Sequence, residues 1–140
     1  MTDLQAALGI SQLKKLEKFI RARSALASEY SSGLSELPLT LPCRPSESSS
    51  SWHLYVIRLT GAKPSATRQV LFEGLRRRGI GVNCHYIPVH TQPYYKSLGF
   101  NEADFPVAVD VYNRSLSLPL FPNLLADEQN HIIQTLRELL

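Results

Sequence analysis

The chain has 140 residues, 44% of them hydrophobic, which makes it about one domain long, with enough apolar content for a packed core. Its formal net charge of +3 is mild, and its one dense basic run, Arg76-Arg77-Arg78, sits just before Gly79, where cations complement a helix end; no nucleic-acid partner is expected. No window approaches the roughly 18 apolar residues of a membrane span, MTDLQAALGI lacks the features of a signal peptide, and Cys43 and Cys84 are too few for a disulfide framework, so a cytoplasmic protein with two free thiols and no membrane partner is expected.

Thr2-Asp3-Leu4-Gln5 has the form of a capping box, a hydroxyl at the cap and a glutamine three residues on. From there Leu4, Leu8, Gln12, Leu16, Phe19, Ile20, Ala27 and Tyr30 recur near helical spacing with no proline before Pro38, which predicts one long helix to about Leu34. Its small residues Ala6, Ala7, Gly9 and Ser11 suit close packing, either in an ordinary core or against a second body outside this chain. Residues 36–51, with three prolines and the run SESSSS, read as a flexible loop.

WHLYVIRL, residues 52–59, reads as a strand apolar on both faces and therefore central or covered by helices. Ser65 is expected to cap a helix that runs to Arg78 and closes at Gly79. A second strand is predicted for Ile80 to Tyr86, with Ile80, Val82, Cys84 and Tyr86 on one face and Gly81, Asn83 and His85 on the other. YYKSLGF gives a short helical segment closed by Gly99, and Phe105 to Ser115 another helix, with Asp104 as cap and Pro106 in its first turn. SLSLPLFP reads as a third strand ended by prolines. Asp127 opens a terminal helix with the apolar stripe Ile132, Ile133, Leu136, Leu139 and Leu140. The expected fold is α/β: a small sheet of about three strands covered by helices, with a long N-terminal helix and no internal repeat.

Residues 83–95, NCHYIPVHTQPYY, carry the densest chemistry. Strand alternation separates Cys84 from His85, His53 and His131 are isolated, and about four converging ligands are needed for zinc, so no metal site is expected. Cys84 falls on the apolar face, where a small buried thiol is the economical reading and a nucleophile is not. His85 lies on the polar face and His90 in the following loop, while Tyr86, Tyr94 and Tyr95 offer flat apolar surface with a hydroxyl, suited to stacking sugars and bases. Two readings remain open on the residues alone: an aromatic cluster pinning a loop, or a ligand-contacting wall.

MTDLQAALGISQLKKLEKFIRAR, GIGVNCHYIPVHTQPYYKSLGF and SLSLPLFPNL, in that order and spacing, resemble the C-terminal small domain of the DegT/StrS family of pyridoxal-phosphate-dependent nucleotide-sugar aminotransferases, a fold-type I domain. The resemblance covers essentially residues 1–140 and is most specific at HYIPVH and LSLPL; within the family it looks closest to transaminases of UDP-linked 4-amino-4,6-dideoxy sugars. It implies amino transfer from glutamate to a nucleotide-linked keto sugar in polysaccharide biosynthesis, with pyridoxal phosphate as cofactor. It also implies that the family's catalytic lysine lies ahead of the segment matching Met1, so that this chain is a fragment, an expressed domain or a truncated reading frame.

None of Lys14, Lys15, Lys18, Lys63 or Lys96 has the desolvated setting of a Schiff-base lysine, so no catalytic residue and no bound cofactor are expected here. By the same resemblance His85, Tyr86, His90, Thr91, Gln92 and Pro93 are expected to contact the sugar nucleotide. The start of the first helix is expected to pack on the large domain, or to form a homo-oligomer in its absence. A different class of function, a free-standing protein-interaction module, uses that same helix end.

Overall fold

Thr2 Oγ1 accepts the Gln5 amide at 3.4 Å and Gln5 Oε1 accepts the Thr2 amide at 2.9 Å, closing the expected capping box at the start of α1 (Asp3–Leu13). A computed structural model describes residues 1–62 and 64–140, without the side chains of residues 64–66. The turn expected at Lys63 lies outside the described residues, and so does the side chain of Ser65, on which the expected cap depends.

The long first helix is two helices, α1 and α2 (Leu16–Gly33). The Lys15 amide bonds the Gln12 carbonyl at 2.9 Å, a three-residue step, while the Lys14 amide reaches the Ile10 carbonyl only at 3.4 Å. That tighter step ends α1, and no proline or glycine in the sequence announces it. The two helices also differ in burial, since α1 buries no residue whereas α2 buries Ala27 and Tyr30.

Three strands form an antiparallel sheet in the order β1 (Leu39–Thr40), β2 (Tyr55–Leu59), β3 (Ser115–Leu118). Leu39 pairs with Leu59, and Tyr55 with Leu118. β2 is central, as its two apolar faces predicted, but it starts at Tyr55 because Trp52 takes a φ of 51°, outside extended geometry. β1 comes from the segment 36–51 read as loop.

The strand expected at Ile80–Tyr86 is reduced to one bridge, Asn83 opposite Ser117. Asn83 Oδ1 accepts the Cys84 amide at 2.8 Å, so a local side-chain bond takes a donor that a ladder would need. Ile80 and Val82 are buried as the alternation required, Cys84 is only half-buried at the edge of the core, and Tyr86 is exposed rather than inward-facing.

The remaining helices follow their punctuation. α3 (Pro64–Arg77) closes at Gly79, whose φ of 77° needs no Cβ, with the Ile80 amide reaching back to the Leu75 carbonyl at 3.0 Å. Each arginine of the basic run has an internal partner: Arg76 lies over the Phe72 ring, Arg77 faces Glu73 at 3.7 Å and Arg78 faces Glu138 at 3.3 Å. α4 (Pro93–Ser97) ends before Gly99. α5 (Pro106–Arg114) has Phe105 at its cap; Asp104 instead accepts the Asn101 amide at 2.7 Å within the single 3-10 turn Glu102–Asp104. α6 (Ala126–Leu139) starts where Glu128 Oε2 accepts the Leu125 amide at 2.9 Å, and its Ile132, Ile133 and Leu136 are buried. Among the described residues no helix is long and apolar enough to cross a membrane.

α6 packs closely on α2 and α3 because both present a glycine. A Cβ at Gly33 would stand 2.8 Å from Ile133 Cδ1, and one at Gly74 2.9 Å from Leu139 Cδ1. Gln129 Nε2 and Arg137 Nη2 then donate to the carbonyls of Leu26 at 2.7 Å and Gly33 at 2.9 Å, the second capping the end of α2. Beneath them the buried Tyr30 hydroxyl donates to the Pro119 carbonyl at 2.9 Å, and Ser31 Oγ pairs with the Tyr55 hydroxyl at 2.9 Å. These bonds tie α2 to both the end of β3 and the start of β2.

Removing the Tyr30 hydroxyl leaves the Pro119 carbonyl without its partner, so Tyr30→Phe is expected to destabilise the chain by about 1–3 kcal/mol in urea unfolding. Burial, reinforced by Tyr55, raises the Tyr30 pKa above its ordinary 10.0. The unfolded chain gives up that proton near 10 while the folded one keeps it. Stability is therefore fully present below about pH 10 and falls as pH rises beyond it; urea midpoints across that range should fall in the wild type and fall less in Tyr30→Phe.

Candidate functional site

The chain leaving Val82 passes through the Asn83–Ser117 bridge and leads into residues 85–95, where Tyr86 and Tyr94 are exposed, His85 half-buried and His90 buried. In that bridge the Ser117 amide donates to the Asn83 carbonyl at 2.8 Å and the Asn83 amide to the Ser117 carbonyl at 3.3 Å. His85, two residues on, lies on the same face as Asn83, and its Nδ1 meets Ser117 Oγ at 2.8 Å. The half-buried His85 ring stands edge-on to Tyr86, centroids 4.6 Å apart, and Tyr86 is 71% exposed.

After Pro88 the chain makes a single 3-10 turn, Val89–Thr91, held by Thr91 Oγ1 donating to the Pro88 carbonyl at 2.7 Å. Gln92 then caps α4 with its backbone and Pro93 occupies the first helical position, where a missing amide donor is tolerated. Thr91 and Gln92 are half-buried and Pro93 is exposed.

His90 is buried against Phe105, ring centroids 4.7 Å apart. Its Nε2 and Arg23 Nε are the buried side-chain polar atoms without a hydrogen-bond partner among the described residues. A buried imidazole nitrogen in that state carries an unmet desolvation penalty of about 1–3 kcal/mol.

Two open grooves meet at Phe105. One, about 650 Å³, is walled by Tyr86, Pro88, Asp104, Phe105, Pro106, Val107, Ala108 and Val111. The other, about 310 Å³, is walled by Val89, His90, Tyr95, Phe100, Phe105 and Ala108. Aromatic and aliphatic surface with one carboxylate and one imidazole suits a flat, partly apolar ligand with a few polar anchor points.

The structure thus brings Tyr86 and His90 into groove walls, with His85 braced behind Tyr86, whereas Thr91, Gln92 and Pro93 shape the turn and stand in neither wall. Sequence reasoning missed Phe105, Val107, Ala108 and Val111, reading their helix as ordinary cover. The available signal was an apolar excess: α5 buries none of its residues, and Val107 is 76% exposed. Ser117 was also missed, being a small polar residue inside an apolar strand. No group of three or more histidine, cysteine, aspartate or glutamate side chains suited to a metal ion occurs among the described residues.

Comparison with known proteins gives the family to which the fold belongs. The DegT/DnrJ/EryC1/StrS aminotransferase family matches residues 1–137. The spore coat polysaccharide biosynthesis protein SpsC of Bacillus subtilis (strain 168) is 39% identical over 142 aligned positions, covering 99% of this chain and 36% of SpsC. A putative sugar aminotransferase from Streptococcus pneumoniae, in its PMP-form, matches with a TM-score of 0.93 at 31% identity over 99% of this chain and 35% of its own. Helicobacter pylori PseC, an aminotransferase involved in the biosynthesis of pseudoaminic acid, gives 0.89 at 31% identity over 99% of this chain and 37% of PseC. The chain therefore spans just over a third of the length of these relatives.

Phe105 shares with Ala108 the wall between the grooves, and its ring lies over His90. Phe105→Ala is expected to open that cover, raising the rate at which diethylpyrocarbonate modifies His90 several-fold while leaving the exposed His53 unchanged. Mass spectrometry of the two peptides reads the difference, and equal rates before and after substitution would show that His90 is covered by something else.

Proposed function

The chain belongs to the DegT/DnrJ/EryC1/StrS aminotransferase family, and on that premise we propose that it forms the substrate side of a nucleotide-sugar aminotransferase, the region that grips a UDP-linked keto sugar awaiting an amino group from glutamate. The observation that carries this reading is the pair of grooves meeting at Phe105, with the Tyr86 ring, the braced His85 and the buried His90 beside them. Aromatic faces suit the base and the apolar face of a sugar, and the imidazoles suit its oxygens. In this reading Thr91, Gln92 and Pro93 hold the turn that presents His90, and the compartment is the cytoplasm, where sugar nucleotides are used.

The transamination cofactor of such an enzyme needs a desolvated lysine. Lys14, Lys15, Lys18 and Lys96 are all exposed, and Lys96 lies 3.8 Å from Glu102. The described residues do not fit a pyridoxal phosphate site, and no step of that chemistry falls to them. What this chain supplies is binding and orientation of the sugar nucleotide.

Titrating the isotope-labelled chain with UDP-N-acetylglucosamine tests the reading. Amide and ring resonances of His85, Tyr86, His90 and Phe105 should move together with one saturation curve. Shifts confined to other surfaces, or none at millimolar ligand, would overturn it.

A second reading, an interaction module without catalysis, is favoured by one observation: α1 exposes Leu4 at 81%, Leu8 at 62% and Leu13 at 66%. Exposed side chains of that size suit a contact surface, with Leu4 and Leu8 one turn apart on the same face. On the aminotransferase reading it is the face that meets the large domain, and in the 140-residue chain alone it drives self-association. Sedimentation at micromolar concentrations should show a concentration-dependent rise in mass that the pair Leu4→Lys and Leu8→Lys abolishes; a monomer throughout would remove the role given to α1.

A further inference from the structure

Among the buried side chains, Ser117 stands out because its hydroxyl has a bonding partner on the functional loop. Ser117 is 4% exposed, and among the described residues the one partner shown for its Oγ is His85 Nδ1, at 2.8 Å. Resting on the sugar-nucleotide reading, we propose that Ser117 is the positioning residue of the site: its hydroxyl donates to His85 Nδ1, locks the neutral imidazole as the Nε2–H tautomer, and so presents Nε2–H as a hydrogen-bond donor to an oxygen of the bound nucleotide sugar.

The direction of the bond follows from what each alternative strands. If Nδ1–H donated to Ser117, the serine proton would be left buried with no acceptor. If the hydroxyl donates, the only unmet capacity is an oxygen lone pair, which costs less than an orphaned donor. Nδ1 is then an acceptor, and a neutral ring must carry its proton on Nε2. Nε2 lies across the ring from Nδ1 and so away from Ser117, and the half-buried imidazole stands edge-on to the exposed Tyr86 that walls the larger groove.

The geometry makes this placement rigid. Asn83 and Ser117 exchange both backbone bonds, so their side chains share a face of the sheet, and His85 follows Asn83 on that same face. Ser117 is in turn held on its other edge by pairing with Val56 in β2. A ring bonded to a residue clamped from both edges has few orientations left, which is the pre-organisation a binding group needs.

Histidine ring nitrogens report the tautomer directly in long-range proton–nitrogen spectra, recorded on the intact chain at about pH 8, above the ordinary histidine range. Wild-type His85 is expected to show one tautomer, Nε2 protonated and Nδ1 a bonded acceptor. Ser117→Ala should convert this to a rapidly averaging mixture while the Asn83 and Ser117-site amides stay in place, and Ser117→Thr, which keeps the hydroxyl, should restore the single form. An Nδ1-protonated wild type, or a Ser117→Ala spectrum unchanged at His85, overturns the proposal. The wild-type measurement decides the direction of the bond without any substitution, so a variant that fails to fold does not shelter the idea.

Ligand titrations separate this proposal from the reading beneath it. A shift of the Nε2 proton with uridine diphosphate alone assigns the acceptor to a phosphate oxygen, and one that needs UDP-N-acetylglucosamine assigns it to the sugar. With the tautomer confirmed, an Nε2 that stays unperturbed while His90 and Phe105 shift overturns the donor role and leaves the sugar-nucleotide reading standing, whereas no shift at any of these residues overturns both.

Discussion

β3 is buried at every residue, and a buried strand must satisfy the backbone groups on both of its edges. One edge is taken by β2. Among the described residues the other receives just one pair, Asn83 with Ser117, and the position of the whole 85–95 segment depends on that pair. Upstream, Gly79 turns the chain out of α3 and Ile80 and Val82 seat it in the core. Downstream, the Asn83 side chain claims the Cys84 amide, pairing stops, and the chain leaves the sheet to wall the grooves at Phe105. One bridge is enough to set register, and its brevity leaves the histidines and Tyr86 outside the sheet.

The opposite groove wall is held just as firmly by different means. α5 has no buried residue to anchor it, so polar bonds do this instead. Arg114 bonds Asp110 at 2.7 Å and the carbonyls of Leu59 and Gly61 at 3.3 and 3.0 Å, pinning the last turn of α5 to the end of β2. The Arg68 guanidinium donates to the Tyr112 carbonyl and lies over the Tyr112 ring, joining α5 to α3. A helix tethered at its polar end can leave Val107 and Val111 facing the groove, and an apolar wall on a rigid helix makes a more exact site than the same residues on a loop.

Much of this was legible in the sequence wherever a local rule decides the outcome. The Thr2–Gln5 box, Gly79 and Gly99 after their helices, and the stripe along α6 all appear as expected, because each depends on residues within a turn of one another. The alternation of Gly81, Asn83 and His85 was also legible, and it is what brings His85 over Ser117. Ser117 as the partner of Asn83 was not, since pairing with a residue 34 positions away is a tertiary fact that a serine among leucines does not advertise. The same limit explains why the pattern predicts a strand at residues 80–86 and none at Leu39–Thr40. A two-residue strand has no periodicity to detect, and its membership rests on β2 being there to pair with it.

α1 marks the other boundary of what local rules can do. Its eleven residues are held by a capping box and by continuity with α2 through the tight step at Lys14–Lys15, and none of them is buried. Isolated helices of fewer than about 12–15 residues are marginal in water, so the apolar Leu4, Leu8, Ile10 and Leu13 contribute nothing to its stability while they stay exposed. Burying four such side chains against another surface is worth roughly 1.5–3 kcal/mol each before ordering costs, far more than a capping box supplies. The cap of α1 prepares the helix, and covering its exposed leucines would add to the stability that the cap supplies.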